Sequence, residues 1–449
     1  MKTSDLNQIS RRRFISLTGT GVSALALWPL LEACGIGGGP VAQVKELKPP
    51  ASKVSLEFWN PFTGPDGNFM KSLVGQFNGE TPNVQVAVTT LPDYYTKVRA
   101  AAVGNQLPHV AIMHLDQIPL QASDKVITPI DDLIKLLGLQ ASDFTEKVWN
   151  GTHWKGKQYS VPLDVHTESF YWNKELFRKA GLDPEKPPTD KASFMDAAKA
   201  ITSKAGVPGF MVVSTGPGVG FLAGNVWASL FYQGGGEWTN AGYSQATFNS
   251  DAGVQAASFM KSLIDQGISP KNVESDSEIA AFKQGKNGMV FSGIWETTGY
   301  GGVLKDSLGA GPVPKIFGAG VWSGSHTLTV PNRKTMSADE RQGAYYFINW
   351  VSKHSIEWAK AGQIPARKSV RESAEFQSIP YISAIAKQAD DARFFPPIPA
   401  AADMEFGPGG VGEALGSILT GKKDAKAALD EAAAHYTQVL QENKQKYGF

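Results

Sequence analysis

The sequence predicts an α/β protein of more than one lobe, and three observations carry that expectation. At 449 residues the chain is too long for one ordinary core, so two or three lobes are expected. From residue 54 onward, strand-like and helix-like stretches alternate at the interval of α/β units on a largely parallel sheet. Hydrophobic residues at 42% and charged residues at 19% describe a globular chain, neither disordered nor fibrous.

Residues 54–59 read as the first strand, ended by Asn60-Pro61. The loop 62–68 holds Asp66 as the expected N-cap of a helix whose buried stripe is Phe69, Leu73 and Phe77. Thr81-Pro82-Asn83 turns the chain into a strand at 84–88, followed by a helix at 94–103, a strand at 110–113 and a helix at 130–137. In such sheets ligands sit beyond the carboxyl ends of strands. Those ends carry Trp59-Asn60 and His114-Leu115-Asp116, which are candidates by location.

Residues 159–176 (YSVPLDVHTESFYWNKEL) organise the middle of the chain. A strand is expected at 159–165, with Pro162 marking an edge or a bend because proline cannot donate to a sheet ladder. Asp164 and His166 alternate with apolar neighbours and so share one face. A second apolar run covers 169–173, and a helix over 174–180 stops at Gly181. Two readings stay open here: a crossing beside a ligand, or a buried hinge strand with satisfied polar groups.

A second body begins near Pro187, with helices at 193–205, 221–232, 248–266 and 279–286. Strands are expected at 210–213 and 289–292, the latter delivering Gly293 and Trp295. A strand at 327–330 is placed to recross to the first body. Helices follow at 338–352 and 353–362, and 412–447 is mostly helical, with Leu429, Tyr436 and Leu440 as core contacts.

The N-terminus is an address. Arg11-Arg12-Arg13 precede a moderately apolar stretch to Leu31 that is diluted by Gly19, Gly21 and Ser23. It resembles a prokaryotic twin-arginine export signal. Leu31-Glu32-Ala33-Cys34-Gly35 resembles a bacterial lipobox whose cysteine is acylated, with Glu32 departing from the usual small or apolar residue. Cys34 is the sole cysteine, which excludes internal disulfides, CxxC redox centres and thiolate metal clusters. Residues 35–52, rich in glycine and proline, read as a flexible tether. The 33 residues before Cys34 carry a net +2, so the rest of the chain carries −1 against the formal +1 of the whole. A near-neutral surface gives no electrostatic case for nucleic acid.

Several motifs fail to complete. Gly416 to Lys423 matches a phosphate loop except at the last position, where Lys423 replaces the hydroxyl that would hold magnesium; Gly421 reads as a helix stop. Gly218-Val-Gly220 matches a dinucleotide fingerprint, but a glycine turn at 234–238 stands where an acidic strand end should follow. The backbone there more readily serves close approach of a ligand or the facing lobe. His166-Thr167-Glu168 lacks the cysteines of a zinc deaminase, and no GxSxG supports a serine nucleophile. More telling are Trp59, Trp227, Trp295 and Trp322, all at turn-rich boundaries. Each suits either stacking on a sugar ring or packing in a core.

Five blocks in order, FWNPFTGPDG (58–67), PLDVHTESFYWNKELFRKAGLDP (162–184), AFKQGKNGMVFSGIWE (281–296), SGSHTLTVP (323–331) and GQIPARKSV (362–370), resemble the carbohydrate-binding receptors of ABC importers, the group that includes maltose-binding protein. The resemblance covers nearly all of 54–447. It implies a two-lobed periplasmic-binding-protein fold with crossing strands at 159–165 and 325–330, a third crossing near Ser352 and a ligand cleft between the lobes. One lobe would be 53–163 plus 319–352, the other 164–318 plus 353–449, after a signal at 1–34 and the tether.

The same resemblance implies ligand contacts at Trp59, Asn60, Asp66, His114, Asp116, Asp164, His166, Trp227, Gly293, Trp295, Gly324, Ser325, His326 and Arg367. Asp164, His166, Trp295 and His326 lead that set, while Gly293 and Gly324 give close backbone approach. The implied protein is a monomer with no cofactor, metal or catalytic residue. It captures a neutral sugar by hinge closure, hands it to a permease and its ATPase, and is held by lipid on the outer face of the cytoplasmic membrane. Two alternatives stand. A secreted glycoside hydrolase would use Asp164 with Glu168 or Glu296 as acid and base. A receptor for a polyol phosphate would need several cationic cleft residues, and Arg367 is the one cation among these candidates.

Overall fold

The first sheet forms because short runs of β-branched and aromatic residues present one apolar face. The computed structural model describes residues 44–404 and 409–449; the signal, Cys34 and residues 35–43 of the expected tether lie outside them. The five strands run in the order Val84–Thr90, Val54–Asn60, Val110–His114, His326–Thr329, Ser160–Pro162. The first three pair in parallel, and His326–Thr329 inserts antiparallel to both neighbours. Ser160–Pro162 takes the edge, the position that suits a proline.

Helices Asp66–Glu80 and Ala338–Lys353 pack on this sheet, with Phe58, Phe77 and Phe347 meeting edge to face. Ser337 and Glu340 form a reciprocal capping box on the second helix, which satisfies otherwise orphaned N–H groups. Two local expectations change in the first helix. Its buried stripe is Asp66, Met70, Leu73, Val74 and Phe77, whereas Phe69 is 38% exposed. Asp66 is the first helical residue, not the cap; its side chain makes no capping bond and turns inward, taking a hydrogen bond from Gln363. Residues 44–52 differ from the flexible tether expected there. Val44 is buried in the first core, and the Lys48 carbonyl accepts from Gln342.

The second sheet is built around Asp164–Asn173, a ten-residue strand buried at every position. Met289–Gly293, Leu308–Gly311, Val321–Gly324 and Ile364–Pro365 all pair with it antiparallel, and Ala392–Arg393 extends the sheet beyond Val321–Gly324. The strand expected at 159–165 is therefore two strands. The chain leaves the first sheet at Pro162, passes Leu163, and enters the second at Asp164. It returns through Ser325, which separates Gly324 in the second sheet from His326 in the first.

The second core gathers Phe170, Phe194, Phe210, Trp227, Phe231 and Phe291 with Leu429, Tyr436 and Leu440 from the C-terminal helix Ala425–Tyr447. The helix Lys174–Ala180 ends at Gly181, whose φ of 75° is the left-handed stop expected there. The strand at 210–213 moves to Val213–Thr215, and Phe210 contributes one bridge to Met289. Helix 248–266 shortens to Asp251–Asp265, with Ser250 at its N-cap position, and the Asn249 amide before it donates to Asp430. The Gly218–Gly220 segment serves helix packing: a Cβ on Gly412 would stand 2.5 Å from the Gly220 Cα. A dinucleotide has no part in explaining those glycines.

Trp227 is fully buried, stacks on Phe231 at 4.8 Å, and donates its indole N–H to the Gly253 carbonyl. Replacing it with alanine opens a large cavity and orphans that carbonyl. Trp227→Ala is expected to lose about 4 kcal/mol of stability in a denaturant titration.

Candidate functional site

The two crossings bring three histidines together over one carboxylate. Asp164, fully buried, opens the central strand of the second sheet, and His326 opens the inserted strand of the first. Asp164 accepts four hydrogen bonds: from the His326 amide at 2.9 Å, His326 Nδ1 at 2.8 Å, the Trp358 indole at 2.6 Å and His166 Nδ1 at 3.4 Å. Burial alone would raise its pKa. The His326 charge and the hydrogen bonds from both imidazoles reverse this and hold the carboxyl well below the usual range. His166 goes the other way: burial, then repulsion by His326, brings it down to about 4 despite its bond to Asp164.

His114, at the end of its strand, is the register partner of His326. Its Nδ1 lies 2.6 Å from the Tyr95 hydroxyl, which also accepts the His114 amide. Burial depresses His114 as well. The rings of His166 and His326 stand 4.2 Å apart, and Phe62 meets His326 edge-on at 4.8 Å.

These side chains floor an open cleft of about 1550 Å³. One wall is aromatic. Trp295 stacks on Phe221 at 5.6 Å and 21°, and Trp322 stands across it at 6.4 Å and 81°. Gly293 lies beneath Trp295, where a Cβ would overlap the indole, and a Cβ on Gly324 would overlap His166 Nε2. The close approach expected of these glycines is thus to neighbouring side chains. Among the described residues the lining holds six carboxyl groups, Asp66, Asp93, Asp116, Glu146, Glu237 and Glu296, against the cations Arg99 and Lys147. Lys283 neutralises Glu296 at 2.9 Å.

Of the residues expected to touch ligand, Asp66, His114, Asp116, His166, Trp295, Gly324 and His326 line the cleft. The others lie elsewhere. Asp164 sits beneath the floor and orients it. Asn60 turns its Oδ1 to the Phe62 amide and Thr90 hydroxyl, shaping the loop. Trp59 packs against the Tyr94–Val98 cluster, and Ser325 is fully buried with its carbonyl bonded to the Leu115 amide. Trp227 is core, Gly293 supports Trp295, and Arg367 precedes the short helix Lys368–Arg371 away from the lining.

The sequence reading missed Phe62, Tyr95, Phe221, Trp238, Tyr243 and the Phe394-Phe395-Pro396-Pro397 run, all on the lining. Phe62, Phe221 and Tyr243 each follow a proline or glycine and Phe395 precedes Pro396, which was the available signal for them; Tyr95 and Trp238 have no such neighbour. An acid–base pair does not assemble from the proposed carboxyls. Asp164 is buried and fully engaged, Glu168 is buried away from this lining with its pKa pushed well up by burial and by Glu278, and Glu296 lines the cleft in an ion pair with Lys283.

Two lobes of α/β structure around an open, polar-floored and aromatic-walled cleft define a solute-binding protein of the periplasmic-binding-protein fold. The chain belongs to the bacterial extracellular solute-binding protein family, whose model matches residues 72–384. The sn-glycerol-3-phosphate-binding periplasmic protein UgpB of Escherichia coli K12 is 25% identical over 425 residues, covering 86% of this chain and 92% of its own. Among solved structures, the GacH receptor of Streptomyces glaucescens, solved unliganded and with acarbose, superposes with a TM-score of 0.76 at 25% identity, over 87% of this chain and 100% of its own. The cyclic alpha-maltosyl-1,6-maltose binding protein of Arthrobacter globiformis gives 0.70 at 25% identity with the same coverage.

Asp66 supplies a test of the electrostatics. Burial, opposed by His326 and the Gln363 hydrogen bond and reinforced by the Asp164 charge, lifts its pKa from 3.8 to about 6. A raised carboxyl contributes stability that is present below its unfolded pKa and lost as pH rises through the folded one. Asp66→Asn has no charge to bury. It is expected to gain on the native protein by on the order of 2 kcal/mol as pH rises from about 4 to about 7, read from denaturant titrations at both ends.

Proposed function

We propose that the protein is the extracellular receptor of an ABC importer and captures a neutral oligosaccharide by hinge closure. The observation that carries this reading is the cleft itself: indoles and a phenyl ring on one wall, imidazoles and carboxyls on the floor. Sugar rings offer flat C–H faces for the first and hydroxyls for the second. The cleft is larger than the roughly 300–1,000 Å³ usual for small-molecule sites, which favours several sugar units. GacH and the Arthrobacter globiformis protein, both 25% identical to this chain, support the same ligand class.

The resemblance to UgpB supports a second reading, a polyol phosphate. Six carboxyl groups against two cations in the lining weigh against an anion. Arg367, the one cation among the expected contacts, is off the lining and so supplies no charge for an anion there.

For the moving parts, we take one lobe as 53–163 with 325–361 and the other as 164–324 with 362–449. The sheet membership of Val321–Gly324 and the packing of Trp358 in the first core support shifting the boundaries at 319 and 353 to these positions. Ligand bonded to both lobes would favour the closed form because those contacts exist only there. The permease and its ATPase would read that form. Acylation of Cys34 would hold the receptor at the outer face of the membrane as a monomer.

Isothermal titration of the chain from Pro40 onward with neutral mono- to tetrasaccharides and with glycerol 3-phosphate tests the ligand. One-to-one binding of a neutral sugar, recovered intact, is expected. Cleavage of the sugar, or binding of glycerol 3-phosphate alone, would overturn the reading. Trp295→Ala should weaken that sugar at least tenfold, about 1.4 kcal/mol, without lowering the melting temperature as Trp227→Ala does. Cys34→Ser should move the protein from the membrane pellet to the soluble fraction of its host.

A further inference from the structure

We propose that His114, His166 and His326 form a binding site for one divalent transition-metal ion, of the zinc, nickel or copper type, on the floor of the cleft. This inference stands independently of the sugar reading. One nitrogen from each of the three rings lies within 4.8 Å of the others. In a tetrahedral zinc site at about 2.0–2.1 Å per bond the nitrogens stand roughly 3.3 Å apart, so modest ring rotation closes the set. Three of the chain's seven histidines converge here.

The surroundings are those of a ligand set and not of a hydrogen-bonded core. In each ring Nδ1 is engaged: His166 and His326 by the two oxygens of Asp164, and His114 by Tyr95. Metal-bound imidazoles characteristically give their second nitrogen to a carboxylate or comparable partner, which fixes the ring and raises its basicity. That leaves Nε2 on each ring for an ion. For His114 this requires Nδ1 to carry the proton, which the Tyr95 hydroxyl can accept. His166 Nε2 stands close over Gly324, an approach that only the absence of a side chain there allows.

His114 and His326 are register partners in one sheet, and His166 is paired with Gly324 in the other. Three imidazoles select first-row transition metals over magnesium or calcium, and leave coordination positions open toward the cleft, where hydroxyls of a bound solute can complete the shell.

The test is titration of tag-free, chelator-dialysed full-length protein with zinc chloride, followed by calorimetry and metal analysis. One equivalent bound at micromolar Kd or tighter is expected. His166→Gln and His326→Gln should each weaken it at least a hundredfold, and Asp164→Asn by ten- to a hundredfold, with circular dichroism melts to establish folding. Zinc-edge X-ray absorption of the unaltered complex should count three imidazole nitrogens, a readout that survives if a variant unfolds. Absence of binding below millimolar zinc, retention of full affinity in folded His166→Gln and His326→Gln, or a coordination shell without imidazole would each overturn the site. Titrating sugar with and without zinc then separates the two proposals: sugar binding in the absence of zinc uptake sinks the metal site alone, and zinc uptake without sugar binding sinks the ligand reading alone.

Discussion

The buried carboxylate of Asp164 is the constraint around which the rest is arranged. An isolated carboxylate taken out of water costs several kcal/mol, so the fold must bring donors to it from every side. It does so with groups from separate parts of the chain: the amide and imidazole of His326, the indole of Trp358 and the ring of His166. The first comes from the first sheet, the second from a helix packed in the first core, and the third from the second sheet. One charge thereby fixes the position where the chain crosses between sheets. It also sets the orientation of two rings that face the cleft.

Much of this was legible in the sequence, for reasons that differ by element. The helices Tyr94–Val103 and Lys174–Ala180 matched their expected limits because their ends are set locally, by residues that stop or start a helix whatever surrounds them. The strand at 159–165 did not, since a break at Leu163 between two sheets leaves no mark in a run of apolar residues. Phe69 and Phe77 carry the same side chain on one helix, yet one is exposed and the other buried; the helix register, set by an inward-turned Asp66, decides between them.

The cleft shows the same division. His114 and Asp116 were legible because the end of a strand predicts exposure to a cleft; His166 showed only that it shares a face with Asp164, and His326 came from the family resemblance alone. Tryptophans could not be sorted by neighbours alone. Trp227 and Trp295 both follow glycine-rich turns, and burial in the completed second core separates the packing residue from the platform. The three histidines gathered over Asp164 are separated by 52 and 160 positions, so no spacing motif marks them in the sequence.

The central strand Asp164–Asn173 has a further consequence, in time and not in space. Its partners lie at residues 289–293, 308–311, 321–324 and 364–365, and the first sheet in turn waits for 326–329. Pairings of this range make for slow folding. At 5–20 residues per second, the ribosome needs roughly 20–70 s to reach the last of these segments. The strand itself is complete at residue 173 and meets its first partner from residue 289, so for roughly 6–23 s at that rate a strand that ends fully buried exists without a neighbour. A receptor destined for the far side of a membrane thus remains unfinished until most of its length is made, and the cell must shield that strand meanwhile.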